Sequence, residues 1–228
     1  MNNNARQVFT LKNRLCAVSA FNREQTIYAT DGITDFVYLV DSCGDIECER
    51  LLRNYRALRF NENLDAYTAI CSQRSVYFLT AGLCEYAKIT LESSRGCLCD
   101  ASALTVNGTE RILGAFDRYA AIFDADGREL YRVCETDCDE IIEGFICFGP
   151  DRYAMISRKG SNQLLTIYDR SEKQSEMVSR DTNLRMLYLA NGVIYGLFGR
   201  NYLYNEVYPI YSCGNLRLPA IENRMNFC

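Results

Sequence analysis

The stretch "RYAAIF" (118–123) is an aromatic-centred apolar run between two polar joints, and it reads as a short β-strand. It decides the fold because it recurs. "TIYAT" (26–30), "SVYFLT" (75–80), "RYAMIS" (152–157) and "VIYGLF" (193–198) have the same form. The anchoring tyrosines Tyr28, Tyr77, Tyr119, Tyr153 and Tyr195 are spaced by 49, 42, 34 and 42 residues. Self-similarity at such a period marks a chain built from repeated supersecondary units.

The flanks repeat as well. Before each anchor stands a short apolar strand ending in a polar turn, as in "CAVSAFNREQ", "AYTAICSQR", "RILGAFDR", "GFICFGPDR" and "RMLYLANG". After each anchor comes a glycine-bearing turn at Gly32, Gly82, Gly127, Gly160 or Gly199, then a third strand such as "FVYLVD" or "LLTIYD". A fourth, more polar strand can be drawn in copies one, two and four, as "IECERLL", "CLCDASALTV" and "KQSEMVS"; copy three reads as compressed. The segment "ECERLLRNYRALRF" (47–60) has some helical spacing but reads as a strand followed by a loop.

The unit is therefore a four-stranded antiparallel meander of about forty residues. Five copies, anchored by tyrosines and punctuated by glycines, resemble the five-bladed β-propeller superfamily over essentially the whole chain. The resemblance implies an all-β fold in which blades pack face to face around an axis. The expectation is one domain over 1–228, with blades near 14–53, 64–106, 110–140, 143–180 and 184–219. The opening strand within 6–13 has no partner of its own and is expected to close the ring on the fifth blade. A β-sandwich of similar strand number is the alternative. "SCG" occurs at Ser42-Cys43-Gly44 and at Ser212-Cys213-Gly214, each time after a third strand, and reads as a turn shared by repeat ancestry.

Composition narrows the chemistry. The chain has 228 residues, a net charge of −4, no His and no Trp, but 16 Tyr and 12 Cys. Without His the commonest general base near neutral pH is missing. No basic cluster suggests a nucleic-acid surface, and no apolar run approaches the length that crosses a membrane. The opening "MNNNARQVFTLKN" has no apolar h-region, so a cytoplasmic location with free thiols is expected. A zinc site from Cys97, Cys99, Cys134 and Cys138 would need spacings other than the usual Cys-x2-Cys, and buried free thiols are the simpler reading. "FDADGREL" (123–130) offers Asp124, Asp126 and Glu129 to calcium, but Asp-Gly between two strands is first a hairpin turn.

The expected function is a non-catalytic binding or scaffolding module for a protein or small-molecule partner, with no cofactor and no metal. The loops after the second strands carry the candidate binding residues Asp31, Asp35, Arg158, Lys159, Arg200, Tyr202 and Tyr204. Arg and Tyr are enriched at interaction hot spots. The alternative is a carbohydrate-binding or glycoside-hydrolase-like propeller, as the resemblance also implies, for which Asp31, Asp35, Asp65 and Glu85 are the carboxylates near one rim.

Overall fold

The structure, a computed structural model, describes residues 6–9, 17–21, 27–30, 36–40, 46–50, 55, 57–61, 64–70, 74–80, 82–93, 96–149, 151–170, 172–178, 183–190, 192–200 and 204–219. All regular elements among them are strands. After β1 (Arg6–Phe9), a first sheet holds β2 (Ala17–Phe21), β3 (Ile27–Thr30), β4 (Phe36–Val40) and β5 (Ile46–Arg50). A second holds β6 (Ala57–Asn61), β7 (Ala66–Ile70), β8 (Ser75–Thr80) and β9 (Glu85–Thr90). A third holds β10 (Leu98–Val106), β11 (Thr109–Phe116), β12 (Tyr119–Phe123) and β13 (Glu129–Glu135). A fourth holds β14 (Glu140–Gly149), β15 (Arg152–Lys159), β16 (Asn162–Asp169) and β17 (Glu172–Met177). All four are antiparallel meanders.

The last sheet is composite. β18 (Asn183–Ala190), β19 (Val193–Arg200) and β20 (Tyr204–Ser212) follow one another, and β20 then carries two short strands on its outer edge. β1 pairs with it through Arg6↔Val207, Gln7↔Glu206 and Phe9↔Asn205, while β21 (Asn215–Leu216) pairs at Tyr211 and Ser212. Pro209, which has no N–H for a ladder, lies between the two attachments. The first strands β2, β6, β10, β14 and β18 contact one another in sequence, and β18 also contacts β2. Stacked meanders with their first strands grouped together are the arrangement of a β-propeller.

Burial explains the repeat. β7 and β12 are buried at every position, whereas β9, β13 and β17 are largely exposed. An interior strand covered by sheets on both faces needs no polar alternation, so it reads as a continuous apolar run. The outermost strand alternates or is polar. Among the described residues, apolar clusters fill the spaces between sheets: Ile70, Leu91, Phe116 and Phe123 between the second and third, Leu113, Ile142, Phe145 and Met155 between the third and fourth, and Ile156, Leu165, Leu187 and Phe198 between the fourth and the last.

The phase of the repeat differs from the sequence reading in two places. Tyr28, Tyr153 and Tyr195 lie on second strands, but Tyr77 and Tyr119 lie on third strands. "CLCDASALTV" is not the fourth strand of copy two. Its Leu98–Val106 is β10, which runs the length of β11 from Leu98↔Phe116 to Val106↔Thr109. The loop assigned after residue 53 contains β6, another first strand, so the third sheet is complete and not compressed. Second and third strands are equally enclosed, and an aromatic apolar run fits either.

Across the axis, among the described residues, an ion pair ties first strands together. Arg59 on β6 donates Nε–H to Asp100 Oδ1 at 3.2 Å, pairs through its terminal nitrogen with Asp100 Oδ2, and donates Nη1–H to the Leu187 carbonyl of β18 at 2.7 Å. Asp100 on β10 also accepts the backbone N–H groups of Ala101 at 2.9 Å and of Phe145, on β14, at 3.2 Å. Four first strands thus meet at two side chains that are 9% and 7% exposed. Beside them Asn61 accepts the Ala103 N–H at 3.0 Å, and the Thr68 hydroxyl donates to the Ala101 carbonyl at 3.0 Å.

Removing one partner of such a pair leaves a buried charge without its counterion, which costs about 3–5 kcal/mol. Asp100→Ala is expected to lower the unfolding free energy measured by urea titration by that amount. The joint replacement Arg59→Met with Asp100→Leu should cost less than the single change. A single-variant loss below about 1 kcal/mol would show that the axis is held by packing alone.

Candidate functional site

The chain passes from one sheet to the next at one end of the meanders, and the turns after the second strands lie at the same end. This rim is best described where the fourth sheet meets the last. Asn183 pairs with Gly199 and Arg200 pairs with Tyr204, so the start of β18, the end of β19 and the start of β20 lie side by side. Arg158, near the end of β15, reaches across to them. Its guanidinium binds Glu143 in bidentate fashion at 2.5 and 3.1 Å and touches Asn183 Oδ1 at 3.3 Å. The hydrogen bond it donates to Glu143 holds the Arg158 pKa above its ordinary value.

A glutamine completes the clasp. Gln163 donates to Glu143 Oε2 at 2.7 Å and to the Leu184 carbonyl at 2.8 Å, and its own carbonyl accepts the Leu184 N–H at 2.8 Å. Its amide thereby stands in for one rung of a β-ladder between two sheets. Further out, Gln174 does the same with Gly214 O and Leu216 N–H at 2.8 and 3.1 Å.

Of the residues expected at the site, Arg158 therefore belongs to the clasp as well as to the rim. Lys159 is exposed beside it and pairs with Asp139 at 2.9 Å on the link into the fourth sheet. Arg200 and Tyr204 oppose each other at the neck of the β19–β20 hairpin, with their side chains outside the described set. Asp31, Asp35 and Tyr202 lie outside the described residues. Asp65 sits exposed in the β6–β7 turn, at the other end of its sheet, and Glu85 accepts the Tyr55 hydroxyl. The sequence reading missed Arg185. In β18 the register shifts between Leu184 and Met186, so Arg185 is the extra residue of a β-bulge beside Gly199. An arginine inside the apolar run "LRMLYL" is the signal that points to it.

Several of the candidate metal ligands make local contacts. Asp124 Oδ1 accepts the N–H groups of Asp126 and Arg128, both at 2.9 Å, so "DADG" is a self-capped turn. Gly127 has φ +83° and packs so closely on the Thr90 carbonyl that a Cβ would overlap it, while its own carbonyl accepts Glu92 N–H at 2.7 Å. No group of three or more Cys, Asp or Glu is placed to hold a metal among the described residues. Cys97 and Cys138 are exposed on separate links, whereas Cys99 donates its thiol to the Ala115 carbonyl at 3.1 Å. Cys213, with φ +49°, and Gly214 form the two-residue turn between β20 and β21; Ser42-Cys43-Gly44 lies outside the described residues.

No family model matches the chain, and no curated protein matches it in sequence. Solved structures do. A chain of a mitotic checkpoint complex is 8% identical and superimposes with a TM-score of 0.59 over 92% of this chain and 96% of that one. A catalytically inactive virginiamycin B lyase from Staphylococcus aureus with quinupristin is 10% identical, with a TM-score of 0.54 over 93% and 90%. The Dos1 propeller is 11% identical with a TM-score of 0.48, and this chain spans 59% of its length. The fold is a β-propeller. At these identities the likeness extends to the fold alone.

Two thiols give a pH test. Burial pushes Cys134 up to about 11 and Cys147 up to about 12, from an ordinary 9.0. The unfolded chain then releases these protons first, so their contribution to stability is complete below pH 9.0 and declines as pH rises toward the folded values. Unfolding free energy is expected to fall by about 1.4 kcal/mol per pH unit per thiol in that window, and Cys134→Ala should reduce the slope. An unchanged slope would remove Cys134 as its source.

Proposed function

We propose that this chain is a non-catalytic binding or scaffolding module, a single cytoplasmic domain folded as a five-bladed ring. The composite sheet serves as the fifth blade, and β1 closes it by completing the outer edge of β20. The contact of β18 with β2 supports that closure. The working surface is the rim between the fourth and fifth blades, with Arg158, Lys159 and the β19–β20 hairpin, and Asp31, Asp35, Arg200, Tyr202 and Tyr204 are the further binding residues the sequence offers. A protein or small-molecule partner binds there, and neither nucleic acid nor a membrane is its target.

The observation that carries this reading is the convergence of guanidinium-bearing and aromatic positions from β15, β18, β19 and β20 at one end of the ring. The axial pair favours it over the carbohydrate-active reading. Among the described residues the buried carboxylate is Asp100, and Arg59 and two backbone N–H groups already engage it. Glycosidic hydrolysis asks for two carboxyl groups about 5–10 Å apart with access to a sugar. Virginiamycin B lyase and the mitotic checkpoint complex share the fold, so architecture by itself favours neither chemistry.

A photo-crosslinking residue placed at Tyr204 should give a discrete adduct that unlabelled chain competes away, while the same residue at Tyr131 on β13 should not. Adducts from Tyr131 alone would move the surface to the outer strands. Turnover of chromogenic glycosides by the purified chain, abolished by Asp100→Asn, would overturn the non-catalytic reading.

A further inference from the structure

The β10–β11 hairpin outgrows its sheet. β12 pairs with β11 only from Ile112 to Ala115, whereas the β10–β11 ladder continues through Leu104↔Arg111, Thr105↔Glu110 and Val106↔Thr109. Three rungs thus stand clear of the third strand, and Thr105 and residues 107–110 are exposed. The turn itself is Asn107-Gly108, with φ of +50° and +74°, the pair that a two-residue type I′ loop requires. Two strands hold weakly without a third, and the end of such a hairpin opens at a free energy far below that of the whole fold. The turn follows a first strand, so it lies at the end of the meanders away from the proposed rim.

Asn-Gly in such a place has a chemistry of its own. The Gly108 main-chain nitrogen attacks Cγ of the Asn107 amide, the new C–N bond closes a five-membered imide ring, and the side-chain nitrogen leaves as ammonia. Water then opens the ring at either carbonyl. The product is aspartate or, where the main chain is left running through the side-chain carbon, isoaspartate. Glycine leaves the attacking nitrogen unhindered, and beyond its chain neighbours nothing stands within 4 Å of where a Cβ at 108 would be. Closing the ring requires the peptide plane after Asn107 to rotate, which the closed turn resists and a frayed tip allows. We propose that Asn107 is a site of spontaneous deamidation, opened to that reaction by the overhanging rungs of its hairpin. The product adds one negative charge to a chain of net charge −4. Its isoaspartate form lengthens the main chain by one carbon, so the two-residue loop no longer closes Val106 on Thr109.

A second Asn-Gly, at 191–192, is the internal control. There β20 pairs with β19 as far as Ile194, which leaves only the rung Ala190↔Val193 beyond the third strand. The test incubates the full chain in mildly alkaline buffer, folded and in urea, and follows both sites by peptide mapping with isoaspartate detection. In urea the two should convert at like rates. In the folded chain Asn107 should convert at least about tenfold faster than Asn191, giving aspartate and isoaspartate together. Asn107→Gln, whose amide would have to close a larger ring, should remove most of the accompanying acidic band on isoelectric focusing. Equal rates at the two sites in the folded chain, or a faster Asn191, would overturn the overhang as the cause. An Asn107 that stays intact when folded but converts in urea would remove the site. Aspartate without isoaspartate would exclude attack by Gly108.

Discussion

A guanidinium and a carboxylate held where water scarcely reaches impose a geometric condition on everything around them. Arg59 and Asp100 together offer several hydrogen-bonding sites, and each that is left empty in the interior costs about 1–3 kcal/mol. The sites are filled by backbone groups from β10, β14 and β18, so those strands must present the Leu187 carbonyl and the Ala101 and Phe145 N–H groups at fixed positions. An apolar axis would tolerate a small slide of one sheet past another. This pair does not, because a shift of one residue along any first strand exchanges a donor for an acceptor. Burying the two charges is costly in itself, and its return is register.

The interfaces between sheets use different means according to their depth. Between the second, third and fourth sheets the contact is mostly apolar, with Leu91 packed so closely on Gly114 that a Cβ there would lie 2.7 Å from its terminal carbon. The boundary between the fourth and last sheets adds a polar layer. Gln163 and Gln174 mimic ladder rungs, Arg158 grips Glu143, and Arg152 pairs with Asp169 at 2.9 Å while Tyr211 donates to the same carboxylate at 2.6 Å. These directional contacts fix the composite sheet, whose outer strands are short.

Much of this was legible in the sequence. The apolar strands, the turn chemistry, the four-stranded antiparallel unit and the pairing of the opening strand with "EVYPIY" followed from period, burial logic and the absence of a local partner. The phase in copies two and three was not. Tyr77 and Tyr119 mark enclosed strands without saying whether they are second or third, and "ALRFN" lacks an aromatic anchor and hides next to a helix-like run. At the rim, Arg158 and Lys159 stood out as charged turn residues, but the grip of Glu143 on Arg158 spans β14 and β15 and leaves no local trace. Arg185 required knowledge of register, because a bulge is a relation between two strands. The axial pair joins residues 41 apart and could not be read from either neighbourhood.

The outer edge of β20 carries a kinetic consequence. Its first attached strand comes from the start of the chain and its second from just beyond its own end. During synthesis the Arg6–Phe9 segment emerges long before its partner and can pair only after residues 205–207 have left the ribosome. The four intervening meanders are local and can form as they appear, whereas this pairing must close a loop of nearly the whole chain. Until then β20 exposes an unpaired edge, and any strand nearby can compete for it. The slow, vulnerable moment of this fold is therefore this contact, set by two short lengths of backbone that lie far apart along the chain.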